Sequence, residues 1–234
     1  MRIDIWSDIV CPFCQLGKAR LAQALSAWEH GDDVELVWHS FELDRHAPRT
    51  SSESLSEHIA TKYGTSLAQS EASQEGIAAQ FAAAGLTFDW RAAHPGNTYD
   101  AHRLIHRAAK SGLGAAVMER FMTAYFAEGA AIGEQETLTR LAVEAGMDRD
   151  EVTAVLVSDD EGDAVRADEA AATQIGINGV PFFVFDERLG LSGAQPVEVF
   201  RQALDQAWDS RQPALAMVTE ATDGEACAVD GSGC

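Results

Sequence analysis

"SDIVCPFCQLG", residues 7–17, places two cysteines three apart where an apolar stretch ends and a helical period begins. Upstream, "RIDIWSDIV" (2–10) clusters Ile3, Ile5, Trp6, Ile9 and Val10 without a helix cap, as a buried strand does. From Pro12 onward Leu16, Ala19, Leu21, Ala22, Leu25 and Trp28 recur at three- and four-residue steps, so an amphipathic helix is expected over 12 to about 29. Pro12 suits its first turn, where a missing N–H costs nothing. "VELVWHSFEL" (34–43), rich in β-branched and aromatic residues, reads as a second strand. Strand, helix, strand makes a βαβ unit, with parallel strands and a right-handed crossover expected.

From 51 to 176 the pattern is helical almost throughout, broken near Gly64, Gly85, Gly112, Gly129 and Gly146. Strand character returns at "PFFVFD" (181–186) and "LGLSG" (189–193), and Pro196 opens a last amphipathic helix over 196–208. The order outlines one α/β core, residues 1–50 and 165–211, with a helical domain, 51–164, inserted in it. Residues 212–234, with Cys227 and Cys234, read as a flexible acidic tail.

The 234 residues carry 37 acidic against 17 basic groups, a formal charge of -20. A field of that sign disfavours nucleic acid and anionic membrane surfaces as partners. No apolar run approaches the roughly 20 residues of a membrane span. The N-terminus, with Asp4 and Asp8 interrupting its apolar part, does not read as a signal peptide, so a cytoplasmic location is expected. Four cysteines in a chain of this length are not a disulfide scaffold.

Cys11 falls at the N-terminal edge of the first helix, where free backbone N–H groups and the helix dipole stabilise a thiolate. Cys14, one turn on, faces the same side and is near enough to attack a mixed disulfide at Cys11. A metal site would need two further ligands at suitable spacing, which Cys227 and Cys234 do not supply, so no metal is expected. The reading as two buried core thiols is weaker, because the pair flanks an isolated Pro12–Phe13 at a strand–helix junction. In "INGVPFFVFD", Pro181 opens a late strand, where proline is poorly tolerated unless it caps an edge or takes a special geometry. A trans proline starting the strand and a cis Val180–Pro181 bond both fit the pattern.

"WSDIVCPFCQLG", "FEL" (41–43), "NTYDAHRL" (97–104), "GVPFFVF" and "LSGAQP" (191–196) resemble, in this order, the FrnE-like proteins of the DsbA branch of the thioredoxin superfamily, relatives of 2-hydroxychromene-2-carboxylate isomerases. The resemblance spans roughly residues 1–210. It implies a thioredoxin-like α/β fold with a large all-helical insertion, Cys11 as nucleophile and Cys14 as resolving cysteine. It also implies a cis Pro181 beside them, with Pro12, Phe13 and Val180 in support. The activity implied is dithiol–disulfide oxidoreductase or isomerase chemistry on a protein or small-molecule substrate. No tightly bound cofactor is required, and glutathione or a thioredoxin system would recycle the pair. The alternatives are a glutathione-dependent isomerase of aromatic or polyketide-type compounds and, more weakly, a non-catalytic holdase.

Four further features are weighed against plainer roles. His102 and His106 share one helix four residues apart, but Arg103 stands where a zinc protease needs glutamate. Asn97 and His102, within the resembling motif, are candidates to line the cleft between subdomains; Asn97 could equally cap a helix. His39 reads as a satisfied core or edge histidine and Asp8 as either a proton shuttle or a strand-end acid. Cys227 and Cys234 are a candidate second redox pair, set against an incidental tail.

Overall fold

The computed structural model describes residues 1–211; the tail and the candidate pair Cys227 and Cys234 lie outside the described residues. Four strands form one mixed sheet in the order β2-β1-β3-β4. Strand β1 (Arg2–Ser7) runs parallel to β2 (Glu35–Ser40), with Ser7 opposite Ser40 at the far end. The crossover between them is helix α1 (Pro12–Ser26). β3 (Phe182–Phe185) lies antiparallel to β1, and β4 (Leu189–Ser192) is its hairpin partner. Residues 186–188 make that turn, with Asp186 and Glu187 left-handed at φ of 46° and 57° and Arg188 N donating back to Phe185 O at 3.0 Å.

Alternation along the strands sorts the two faces. Ile3, Ile5, Phe183 and Phe185 point to one side, where Leu21 and Ala24 of α1 meet Phe200 and Leu204 of α9 (Val197–Asp209) in one core. Trp6 lies on the other side, against Ala172 and Ile177 at the end of α8 (Gly162–Gln174). This is a thioredoxin-like fold.

Between β2 and β3 come α2 (Leu55–Tyr63), α3 (Leu67–Ala83), α4 (Tyr99–Ala109), α5 (Gly114–Glu128), α6 (Gln135–Glu144), α7 (Arg149–Val157) and α8. Ser54 and Ser66 open α2 and α3 with complete capping boxes, and Gly64 closes α2 at φ 65°. Their apolar sides converge on Phe81, Phe121 and Phe126, and this core is continuous with Ile9, Cys11, Cys14 and Leu16. The β1–α1 junction therefore belongs to the same packed mass as the helices.

Several boundaries differ from expectation. β1 ends at Ser7 rather than residue 10, because Asp8 turns the chain: its carbonyl accepts from Cys11 N at 3.2 Å and its carboxylate from Leu43 N at 2.8 Å. α1 stops at Ser26, and β2 spans only 35–40. The expected division at residue 165 falls inside α8, a helix tied to β2 by Asp168, whose Oδ2 accepts from Ser40 N at 2.8 Å.

Candidate functional site

Cys11 is the N-cap residue of α1 in extended conformation (φ -85°, ψ 111°), with Pro12 in the first turn. Its carbonyl accepts from Cys14 N (3.0 Å) and Gln15 N (3.3 Å), so the helix begins at the first cysteine and carries the second inside its first turn. The Cys11 thiol donates to Val180 O at 3.6 Å, across a cis Val180–Pro181 bond. The strand-start alternative of a trans proline is thereby excluded. α1 comes close to this loop at Gly17, where an added Cβ would meet Pro181 Cγ and Phe183 Cζ, both at 3.1 Å.

Both thiols are nearly enclosed, Cys11 at 4% and Cys14 at 1% exposure. They differ in what they face. Cys11 lines a cavity of about 430 Å³ with Pro12, Phe13 and Val180 on one side and Leu55, Ile59 and Ile77 of α2 and α3 on the other. That volume is in the range of small-molecule sites. Cys14 is no part of that lining. Burial, reinforced by its contact with Cys11, pushes the Cys14 thiol well above its ordinary range.

Polar groups gather at the inner end. Asp8, 1% exposed, lines the cavity and holds His102 Nε2 at 3.3 Å through Oδ1. Tyr125 lines it too, its phenol pushed up by burial and then by Asp8 and Cys11. His102 itself is buried beneath Asp8, off the cavity lining, so it does not front the cleft as the sequence suggested. Asn97 is off the lining as well: its Oδ1 accepts from Tyr99 N at 3.0 Å, securing the start of α4. The two histidines of "HRLIH" serve different partners, His102 bonding Asp8 and His106 bonding Ser40 and Asp168. Among the described residues no cluster of three or more His, Cys, Asp or Glu could hold a metal. His39 is the satisfied histidine expected, stacked on Trp6 and bonded to Asp4 (2.7 Å) and Asp168 (2.8 Å).

Sequence reading missed the buried partners around these groups. Glu42, its side chain fully enclosed, pairs with Arg166, while Glu169 joins Arg45 and Arg166. A glutamate among 37 acidic residues carries no local mark of burial.

A helix-starting thiol, a second thiol one turn inward and a cis proline opposite, on a thioredoxin-like sheet, define the class: a thiol–disulfide oxidoreductase. The chain belongs to the DSBA-like thioredoxin domain family, whose model matches residues 2–205. It is similar to a probable DsbA oxidoreductase from Streptomyces coelicolor, at 45% identity and TM-score 0.88 over 99% of this chain and 97% of that one. The uncharacterized protein YwbO of Bacillus subtilis is 29% identical over 205 residues, 87% of this chain and 96% of that one. The cytosolic disulfide reductase DsbM from Pseudomonas aeruginosa, solved with GSH, shares the fold at 18% identity and TM-score 0.61, over 89% and 100% of the two chains. No helix among the described residues is long and apolar enough to cross a membrane.

Proposed function

We propose that the protein is a cytoplasmic dithiol–disulfide oxidoreductase in which Cys11 is the nucleophile and Cys14 the resolving cysteine. The carrying observation is their unequal setting: Cys11 lines the cavity, whereas Cys14 is sealed behind it. The Cys11 thiolate attacks one sulfur of a substrate disulfide; that S–S bond breaks, a mixed disulfide forms, and the other substrate sulfur leaves as a thiolate that takes a proton from solvent. Cys14 then loses its proton and attacks the Cys11 sulfur. The substrate's second thiolate departs, and a Cys11–Cys14 disulfide remains. Two molecules of glutathione, or a thioredoxin-type dithiol, return the pair to thiols and are themselves oxidised to a disulfide. The GSH named with DsbM, which shares the fold, supports glutathione as that reductant. Val180 O, bonded to Cys11 now, and the exposed Phe13 ring are in place to receive substrate backbone and apolar groups.

Insulin reduction tests this. Cys11→Ser should abolish it, and Cys14→Ser should stall as a mixed disulfide visible by mass spectrometry. Turnover by Cys11→Ser at the wild-type rate would overturn the assignment. The cavity's mainly apolar surface favours one second reading, glutathione-dependent isomerisation of an aromatic compound. In that case Cys14→Ser would retain full isomerase activity and the wild type would leave insulin intact.

A further inference from the structure

Three helices bring four neutral hydrogen-bonding side chains to the cavity that Cys11 lines: Ser70 and Gln74 of α3, Thr98 at the start of α4 and Tyr125 of α5. Each is at most 4% exposed, and among the described residues none bonds to another side chain or to the backbone. Local partners are at hand for two of them. Thr139, Thr153 and Thr173 each return a hydroxyl to the carbonyl four residues back, as a helical serine can, and Ser70 does not. Thr98 holds a capping position, yet it leaves the cap to Asn97. An enclosed phenol, amide or hydroxyl without a partner is costly, and four of them converge on this one cavity. Charge narrows what they await. Lys62 is the one lysine or arginine of the lining among the described residues, while Asp8, sealed from solvent, and Asp44 line it too. A carboxylate brought beside Cys11 would face a buried like charge. Hydroxyls and amides both donate and accept, as these four side chains do, and so match them where a carboxylate or an ammonium group matches half.

We propose that this cavity takes a low-molecular-weight disulfide whose uncharged body carries hydroxyl or amide groups, with Ser70, Gln74, Thr98 and Tyr125 as its binding residues. The inference rests on the dithiol reading above and names its substrate class. The sulfur chemistry is the exchange already given: one disulfide and the two protein thiols yield two substrate thiols and the Cys11–Cys14 disulfide, with no further reactant. The apolar part of the molecule lies against Leu55, Ile59 and Ile77, and its polar groups supply the partners that the four side chains lack. A group that enters a polar subsite without reproducing its hydrogen bonds loses affinity, so a purely aliphatic disulfide is the poorer ligand.

The test uses the full chain carrying Cys227→Ser and Cys234→Ser, so that only the pair reacts. The reduced protein is mixed with N,N′-diacetylcystine diamide or with N,N′-diacetylcystine, which has the same shape but two carboxylates, and released thiol is measured after acid quenching. Each rate is divided by that of dithiothreitol with the same disulfide, in about 0.5 M potassium chloride to screen the general field of the chain. The diamide should react roughly tenfold faster than the diacid, which brings unpaired charge into the cavity. Tyr125→Phe and Thr98→Val each remove one hydroxyl and keep the shape. Each should slow the diamide roughly 3- to 10-fold more than it slows diethyl disulfide, which has no polar group to bind. Equal rates for diamide and diacid, faster reduction of the diacid or of the dication cystamine, or variants that affect the diamide and diethyl disulfide alike overturn the subsite. A protein that reduces insulin but none of these small disulfides overturns the substrate class alone. A Cys11→Ser variant as fast as its parent overturns the dithiol reading and the substrate class with it.

Discussion

Asp168 joins three elements, and Asp168→Asn should show what that junction contributes. From α8 its carboxylate reaches His39 Nδ1 on β2 at 2.8 Å, Ser40 N at 2.8 Å and His106 Nε2 on α4 at 3.0 Å. Burial alone would push this carboxyl up, but the hydrogen bonds from His106, His39 and Ser40 N hold it well below the usual carboxylate range. Burial likewise opposes charge on His39, and Asp168 and Asp4 together outweigh it and raise its pKa. Asparagine preserves the shape and one acceptor for Ser40 N but removes the charge facing two imidazoles. Deleting one partner of a buried ion pair costs about 3–5 kcal/mol. Here Asp4 still holds His39 at 2.7 Å, and His39 and His106 are 17% and 21% exposed, which brings the expected loss down to about 2–3 kcal/mol. For a chain of this size that corresponds to a fall of roughly 5–10 °C in Tm. The pH dependence follows from the two signs. Asp168, depressed in the fold, contributes stability above ~3.9 that is lost as pH falls through its folded value. His39, raised in the fold, contributes below ~6.5 and loses that contribution as pH rises through its folded value. Urea denaturation of both proteins across pH should therefore show the largest difference between about pH 4 and 6.5, shrinking on either side. A difference below about 0.5 kcal/mol, or one independent of pH, would refute the reasoning.

Three other outcomes are expected. Gly162→Ala would put a Cβ 2.4 Å from the Tyr99 hydroxyl, and thermal melts should show a loss of about 1–3 kcal/mol. Because burial pushes the Cys14 thiol well above its ordinary range, the reaction of the reduced pair with 5,5′-dithiobis(2-nitrobenzoate) should show a second thionitrobenzoate phase, attack by Cys14 on the mixed disulfide at Cys11, that accelerates about tenfold per pH unit near neutrality, a slope stopped-flow absorbance reads directly. Ser73, exposed on the α3 wall of the cavity, can be enlarged without disturbing the core. Ser73→Trp should raise KM for bulky aromatic disulfides while leaving cystamine reduction unchanged, as steady-state assays with the two substrates would show.

The elements that carry the pair were legible because each has a local signal. Pro12 marks a helix start, the apolar clustering of Ile3 and Ile5 marks β1, and "GVPFFVF" marks the cis-proline strand through its resemblance. Asn97 was legible as a residue that could secure a helix start, which its bond to Tyr99 N does, whereas His102 was legible as a member of a motif but not in its role, because a motif gives no direction to a side chain. The structure shows that "NTYDAHRLIH" is a clamp. Asn97 fixes the start of α4, Asp100 binds Arg49 and Arg103, His102 meets Asp8, and His106 meets Asp168 and Ser40. The contacts of Asp100 with Arg49, of His102 with Asp8 and of His106 with Asp168 and Ser40 join positions far apart in the chain, and no periodicity within α4 reports such partners.

That clamp also explains why the helical block must sit where it does. Asp8 turns the chain between β1 and Cys11, and as a carboxylate 1% exposed it would be untenable without partners. Leu43 N supplies one from the segment after β2, and His102 supplies the other from α4. The turn that delivers Cys11 to the start of α1 is thus held by a residue of the inserted helices. The same helices wall the cavity through Leu55, Ile59 and Ile77. Removing His102 should therefore affect the pair by freeing Asp8 rather than by opening the cavity. His102→Ala should lower stability and disturb both thionitrobenzoate phases, whereas His102→Gln, able to keep a donor on Asp8 Oδ1, should restore both. A glutamine variant as impaired as alanine, with a stability loss to match, would refute the hydrogen bond to Asp8 as what holds the turn.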